Sequence, residues 1–188
     1  MTATDERHID RLVRRAVRGD ATAFGSIYDA YVDRVYAFVC SRVRDAHDAE
    51  DVTETVFLKA FEAIRDYDLR GLPFGAWLFR IARNATIDFV RRSARTPDAV
   101  EDIGDYIGPA DDDVEAEVDA RIGGETVRAA VGRLTEEQAA VIACRYFWDM
   151  DIRTTARVLD RTQGAVKALQ HRALRSLAKV LEEMSGDE

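Results

Sequence analysis

An all-α fold of two small helical domains joined by a flexible acidic linker is what this sequence predicts, on three observations. Apolar residues recur at three- and four-residue spacing through two long blocks, and no strand-like alternation interrupts the first of them. Between the blocks, the segment from Thr96 to Asp113 holds Pro97, Pro109, two Gly and many acids but few large apolar residues, too little to bury for it to order itself. The charge is divided in the same places: 16 basic against 15 acidic residues over 1–95, 1 against 10 over 96–124, and 10 against 10 over 125–188.

Taken in order, the first helix is expected over His8–Arg18, stopped at Gly19. Asp20 can cap the next. That second helix carries Phe24, Ile27, Tyr28, Tyr31, Val35, Phe38 and Val39 at helical spacing to about Val43. Asp45 to Asp48 reads as a polar break. A third helix is expected from about Ala49 to Ile64, with Val52, Val56, Phe57, Ala60, Phe61 and Ile64 on one face and Glu50, Asp51, Glu54 and Lys59 on the other.

After a charged loop, Asp66 to Gly71, comes the stretch PFGAWLFRIARNATIDFVRRSAR, Pro73 to Arg95. Proline suits the first turn, where its missing N–H has no partner to lose. Phe74, Trp77, Leu78, Ile81, Ala85, Ile87, Phe89 and Val90 make an apolar stripe. Arg80, Arg83, Asn84, Asp88, Arg91, Arg92 and Arg95 fill the other side. By itself this pattern also describes an ordinary amphipathic helix with a solvated basic face.

Thr96-Pro97 ends that helix. A helix is expected to resume from Val114, interrupted at Gly123-Gly124 and continued by Val127, Val131 and Leu134. Thr135 and Gln138 form a capping-box pattern. The helix it opens runs through Val141, Ile142, Cys144, Arg145 and Tyr146 to Trp148. Then follow Asp151 to Leu159, a turn at Asp160–Thr162, and a last helix from Gln163 to about Met184.

Composition narrows the function. The chain has 188 residues, 47% hydrophobic and 33% charged, a globular balance. No apolar run reaches the roughly 18 residues of a membrane span. The polar start MTATDERHID is unlike a signal peptide, so the cytoplasm is the expected location. Cys40 and Cys144 are isolated in apolar helical stretches and read as small buried residues, not as a disulfide or metal pair. Three His and two distant Cys offer no metal spacing. No nucleophile–base grouping supports a hydrolase or transferase, so neither catalysis nor a cofactor is expected.

The last two helices, joined by a three-residue turn, have the layout of a helix-turn-helix. Val166, Leu169, Leu174, Leu177 and Leu181 suit the core. Gln163, Gly164, Lys167, Ala168, His171, Arg172 and Arg175 are left outside. Small residues in the first turn let a helix enter the major groove, with donors behind them for phosphates or guanine edges. A helical hairpin with a solvated face fits the same pattern.

GAVKALQHRALRSL, preceded by LTEEQAAVIACRYFWDMD, resembles the promoter-reading domain of bacterial sigma factors. DAEDVTETVFLKAFEAI followed by FGAWLFRIARNATIDFVRR resembles their other essential domain. The similarity is to the extracytoplasmic-function (group IV) branch, which keeps only regions two and four, and it covers about residues 11–95 and 125–182.

The resemblance implies region two over 1–95, the acidic linker over 96–124 and region four over 125–188. It implies that Asp48, Glu50, Asp51, Glu54, Phe57 and Leu58 dock on the clamp coiled coil of the polymerase β′ subunit. Region four implies the β flap as a further polymerase contact. Asp66, Arg70 and Trp77 are implied in capturing a flipped base of the minus-ten motif, and Asn84, Asp88, Arg91 and Arg92 in contacting that DNA. The last helix, with Gln163, Gly164, Lys167, Ala168, His171, Arg172 and Arg175, is implied to read the minus-thirty-five element. Core RNA polymerase, promoter DNA and an anti-sigma factor are the implied partners.

Four positions depart from the family. Glu54-Thr55 stands where Gln-Glu is usual, Asp160 replaces a turn glycine, and Leu169 replaces an arginine of the recognition helix. A helix-turn-helix regulator with an N-terminal sensing domain is the alternative; it needs a ligand pocket or dimer interface in residues 1–95 and no polymerase.

Overall fold

A computed structural model describes residues 3–93 and 125–185, and its elements are all helical. The expected linker and the helix expected from Val114 lie outside the described residues. Two compact units divide the chain at Val90.

In the first unit α1 spans Ala3–Val17, α2 Ala21–Cys40, α3 Ala46–Ala63 and α4 Phe74–Ser93, with a 3₁₀ turn at Ile64–Asp66. Gly19 ends α1 at φ +93°, a left-handed conformation that glycine adopts without a Cβ clash. Asp20 caps α2: its carboxylate accepts from Ala23 N at 3.1 Å and from Arg15 Nε at 2.9 Å. Those two bonds, the backbone one first, hold the Asp20 carboxyl below its usual range.

The core of this unit is aromatic at its centre. Phe38 meets Phe79 edge-on at 4.9 Å, and Tyr31 meets Phe74 at 5.6 Å. Val13, Ile27, Val35, Val39, Val56 and Leu78 are all fully enclosed around them.

Four sequence expectations shift here. Helix α1 begins at Ala3, earlier than His8. The expected break at Asp45–Asp48 is the first turn of α3, because Asp45 accepts from Asp48 N at 3.1 Å and so opens the helix. On α4 the buried face is Phe74, Ala76, Leu78, Phe79, Ala82, Ala85 and Thr86. Trp77, Ile81, Ile87, Phe89 and Val90 are only half-buried. Phe61, expected in the core, is 48% exposed at the edge of its stripe, its ring 5.0 Å from Phe24.

The second unit contains α5 (Glu125–Gly132), α6 (Glu136–Ile142), α7 (Ile152–Leu159) and α8 (Gln163–Ser185). The expected capping box is present, with Gln138 N donating to Thr135 Oγ1 at 3.4 Å and Thr135 N to Gln138 Oε1 at 3.3 Å. Between α6 and α7 the helix expected to reach Trp148 widens to π geometry over Ala143–Phe147, with Trp148 N bonded to Ala143 O at 3.0 Å. Val131, Leu134, Val141, Ile142, Val166, Leu169, Leu174 and Leu177 form the core.

Candidate nucleic-acid interface

On α3, Asp48, Glu50, Asp51 and Glu54 are exposed. Asp51, Glu54, Leu58 and Phe61 follow at three- and four-residue intervals, which stacks them as one strip along the helix. Leu58 is 59% exposed and Phe61 48%, so apolar surface lies among carboxylates. Phe57 does not join the strip: it is 5% exposed and its ring packs 4.6 Å from Tyr28. Its contribution to that face is support from beneath.

The loop before α4 is built on Tyr67 and Asp68. Tyr67 donates from its hydroxyl to Leu72 O at 2.7 Å, spanning the loop. Asp68 accepts Arg70 N at 2.9 Å on its carboxylate and Gly71 N at 2.9 Å on its carbonyl. These bonds fix the turn that leaves Asp66 and Arg70 exposed. The Tyr67 ring lies 5.1 Å from Trp77 and 5.7 Å from Phe74. Burial, and after it the charge of Asp10, pushes the Tyr67 phenol up to about 12, so it remains a hydrogen-bond donor at any physiological pH.

Trp77 is therefore half-buried, with one flank packed on Tyr67 and Phe74. Asn84, Asp88 and Arg91 follow it at intervals of seven, four and three, which places the four residues on one side of α4, and all but Trp77 are exposed. Arg92 is exposed beside them.

On α8, Gln163, Lys167, His171 and Arg175 form one row at four-residue spacing, and Gly164, Ala168 and Arg172 form the next. All are exposed except Arg175, which is half-buried. Apart from its chain neighbours and the adjoining backbone of its own helix, no atom of the described residues lies within 4 Å of where a Cβ on Gly164 would be. The helix starts on Thr162, whose Oγ1 accepts Ala165 N at 3.2 Å. Asp160 closes α7 at φ 53°, ψ 49°, so aspartate itself takes up the left-handed turn. Leu169 is 7% exposed and belongs to the core.

A polar cluster under α8 escaped the sequence reading. Arg145, in the π segment, donates from Nε to Gln170 Oε1 at 3.2 Å and from Nη1 to the Met150 carbonyl. Gln170 passes the chain on from Nε2 to the Tyr146 hydroxyl at 3.1 Å. Asp151 caps α7 by accepting Thr154 N at 2.6 Å. That bond, with Thr154's side chain and the nearby Arg145 and Arg153 charges, holds the Asp151 carboxyl below its usual range. Among the described residues no group of three His, Cys, Asp or Glu is placed to hold a metal, and no helix is long and apolar enough to cross a membrane.

Residues 27–96 match the Sigma-70 region 2 family and residues 130–179 the Sigma-70, region 4 family. The ECF RNA polymerase sigma factor BldN of Streptomyces coelicolor is 34% identical over 95% of this chain and 67% of its own. The ECF RNA polymerase sigma factor SigW of Bacillus subtilis is 27% identical over 95% of this chain and 100% of its own. A solved structure of CnrH in complex with the cytosolic domain of CnrY superposes with a TM-score of 0.66 at 26% identity, covering 93% of this chain and 97% of that one. These similarities favour the sigma reading over a helix-turn-helix regulator with a sensing domain. With both sigma regions in order on one chain and full-length relatives that share them, the protein belongs to the ECF family of RNA polymerase sigma factors.

Proposed function

We propose that this sigma factor docks on the β′ clamp coiled coil of core RNA polymerase through the α3 strip of Asp51, Glu54 and Leu58, flanked by Asp48 and Glu50. The observation that carries the proposal is Leu58, an apolar side chain 59% exposed among carboxylates. Such a side chain gains free energy when a partner covers it, while the carboxylates orient a basic partner. The loop holding Asp66 and Arg70, with Trp77, takes a base from the opened minus-ten strand, and Asn84, Asp88, Arg91 and Arg92 follow that strand. The two rows of α8 read the minus-thirty-five element, with open space at Gly164 for close approach to the duplex and the β flap as the neighbouring polymerase contact. Region two occupies 1–95, the acidic connection 96–124 and region four 125–188.

The solved relative with a TM-score of 0.66 is a complex with a cytosolic partner domain, and it supports an anti-sigma partner of like kind for this chain, acting in the cytoplasm. Exchanging Asp51 and Glu54 for Lys tests the docking reading. Both are exposed, so the circular dichroism of the variant stays that of the parent, and affinity for core enzyme in a fluorescence titration falls at least about tenfold, since juxtaposed like charges cost more than 1 kcal/mol. Unchanged affinity would remove α3 from the interface.

A further inference from the structure

The first helix carries a charged surface that neither the docking strip nor the promoter-facing residues include. Arg7, Arg11 and Arg14 on α1, and Arg18 in the turn that closes it, are all exposed. Their spacing of four, three and four residues aligns them on one ridge, directly opposite the buried Ile9, Leu12, Val13 and Ala16. Eleven residues of rise make the ridge roughly 16 Å long, the length of about five nucleotides of one strand. Arg15 turns aside, held by Asp20 at 2.8 Å.

Asp10 stands at favourable spacing from Arg7 and Arg14, but the members of the ridge repel one another. Arg7/Arg11, Arg11/Arg15 and Arg14/Arg18 are like charges at four-residue spacing, each pair destabilising by a few tenths of a kcal/mol. The C-terminal end of the helix dipole favours Arg14 and Arg15 but does nothing for Arg7 and Arg11. In a chain of net charge −8, four aligned guanidiniums form a concentrated positive line.

The helix that carries the ridge adjoins the proposed minus-ten surface within the same unit. At the end of α1, a Cβ on Gly19 would stand 3.6 Å from Arg65 Nη2, and Arg65 lies in the 3₁₀ turn that leads into the loop of Asp66 and Arg70. On its flank, Asp10 is close enough for its charge to act on Tyr67, the residue that spans that loop. Guanidinium groups suit phosphate oxygens because they form paired, charge-assisted bonds.

We infer that the Arg7–Arg11–Arg14–Arg18 ridge holds the phosphodiester backbone of promoter DNA next to the strand taken up by the Tyr67–Leu72 loop and α4. This role rests on the promoter-engaging reading of the first unit. It carries no base readout, since the ridge is a row of point charges against a uniform backbone.

The test uses the full chain with core polymerase and a promoter that the parent opens, and measures promoter affinity over a series of salt concentrations. Arg11→Gln with Arg14→Gln lowers the slope of log affinity against log salt by roughly 1.4–1.8, about 0.7–0.9 for each phosphate no longer neutralised. The weakening is equal on promoters of different sequence. Arg11→Lys with Arg14→Lys keeps the slope, and core affinity is the parent's in both variants. A glutamine variant with the parent's slope overturns the inference, with the promoter reading intact as long as the parent opens the promoter. Reduced core affinity with the parent's slope overturns it too, because the ridge then serves the polymerase. A parent that forms no promoter complex with core enzyme sinks both readings together.

Discussion

Thr155 is fully buried, and its hydroxyl oxygen has no hydrogen-bond partner among the described residues. A buried hydroxyl without a partner has given up its water and gained nothing in return. Thr155→Val keeps the shape and removes the orphan, so the variant is expected to be more stable by about 1 kcal/mol in a denaturant titration. Asp151 supplies the opposite case. Its carboxylate satisfies the first turn of α7, so Asp151→Ala is expected to cost about 1 kcal/mol and Asp151→Asn much less. The pH dependence follows from its lowered folded-state value. The stabilisation is complete above the unfolded Asp range and fades as pH falls through the lower folded value. The gap between parent and Asp151→Asn therefore narrows in acid, which thermal melts at neutral pH and near pH 3 would register.

Between elements, the clearest test concerns α8. Lys167 lies in one exposed row and Arg172 in the adjacent one. Lys167→Ala and Arg172→Ala are each expected to weaken upstream-element binding. Removing a phosphate partner lowers affinity for every sequence and reduces the salt slope by about one, while removing a base partner relaxes specificity by about 1–3 kcal/mol. Footprints identical to the parent's for both would mean that α8 does not face the DNA. Much of this layout was legible beforehand because it is local. Asp20, the Thr135/Gln138 box and the turn at Asp160–Thr162 announce helix ends through side chains that act within four residues. What stayed hidden is long-range or insensitive to apolar spacing. Nothing in its neighbours along the chain marks Gln170 for burial; its partner Arg145 is 25 positions away. Phe61 keeps helical spacing whether its edge faces a partner or the core. No pattern of side chains reports that a carbonyl at Ala143 is bonded five residues on.

At the scale of the whole molecule, charge governs how the protein meets DNA. Net charge is −8, and the blocks bearing both proposed DNA surfaces are near neutral. Affinity for DNA at large comes from basic side chains that displace counterions, and here they are nearly balanced by acids. The chain alone is expected to bind promoter fragments weakly in fluorescence anisotropy at physiological salt, and tightly once core polymerase is added; tight sequence-specific binding without polymerase would contradict this. The π segment at Ala143–Phe147 works at the same scale. It closes the helix that begins at Glu136 with i→i+5 geometry, after which Asp149 at φ 53° turns the chain. Met150, whose N bonds Cys144 O at 2.9 Å, ties that turn back to the segment just before Asp151 opens α7. A sibling chain one residue shorter there would keep its core pattern up to Ile142 and aim its last two helices elsewhere, so length at this point works as a compass setting for everything after it.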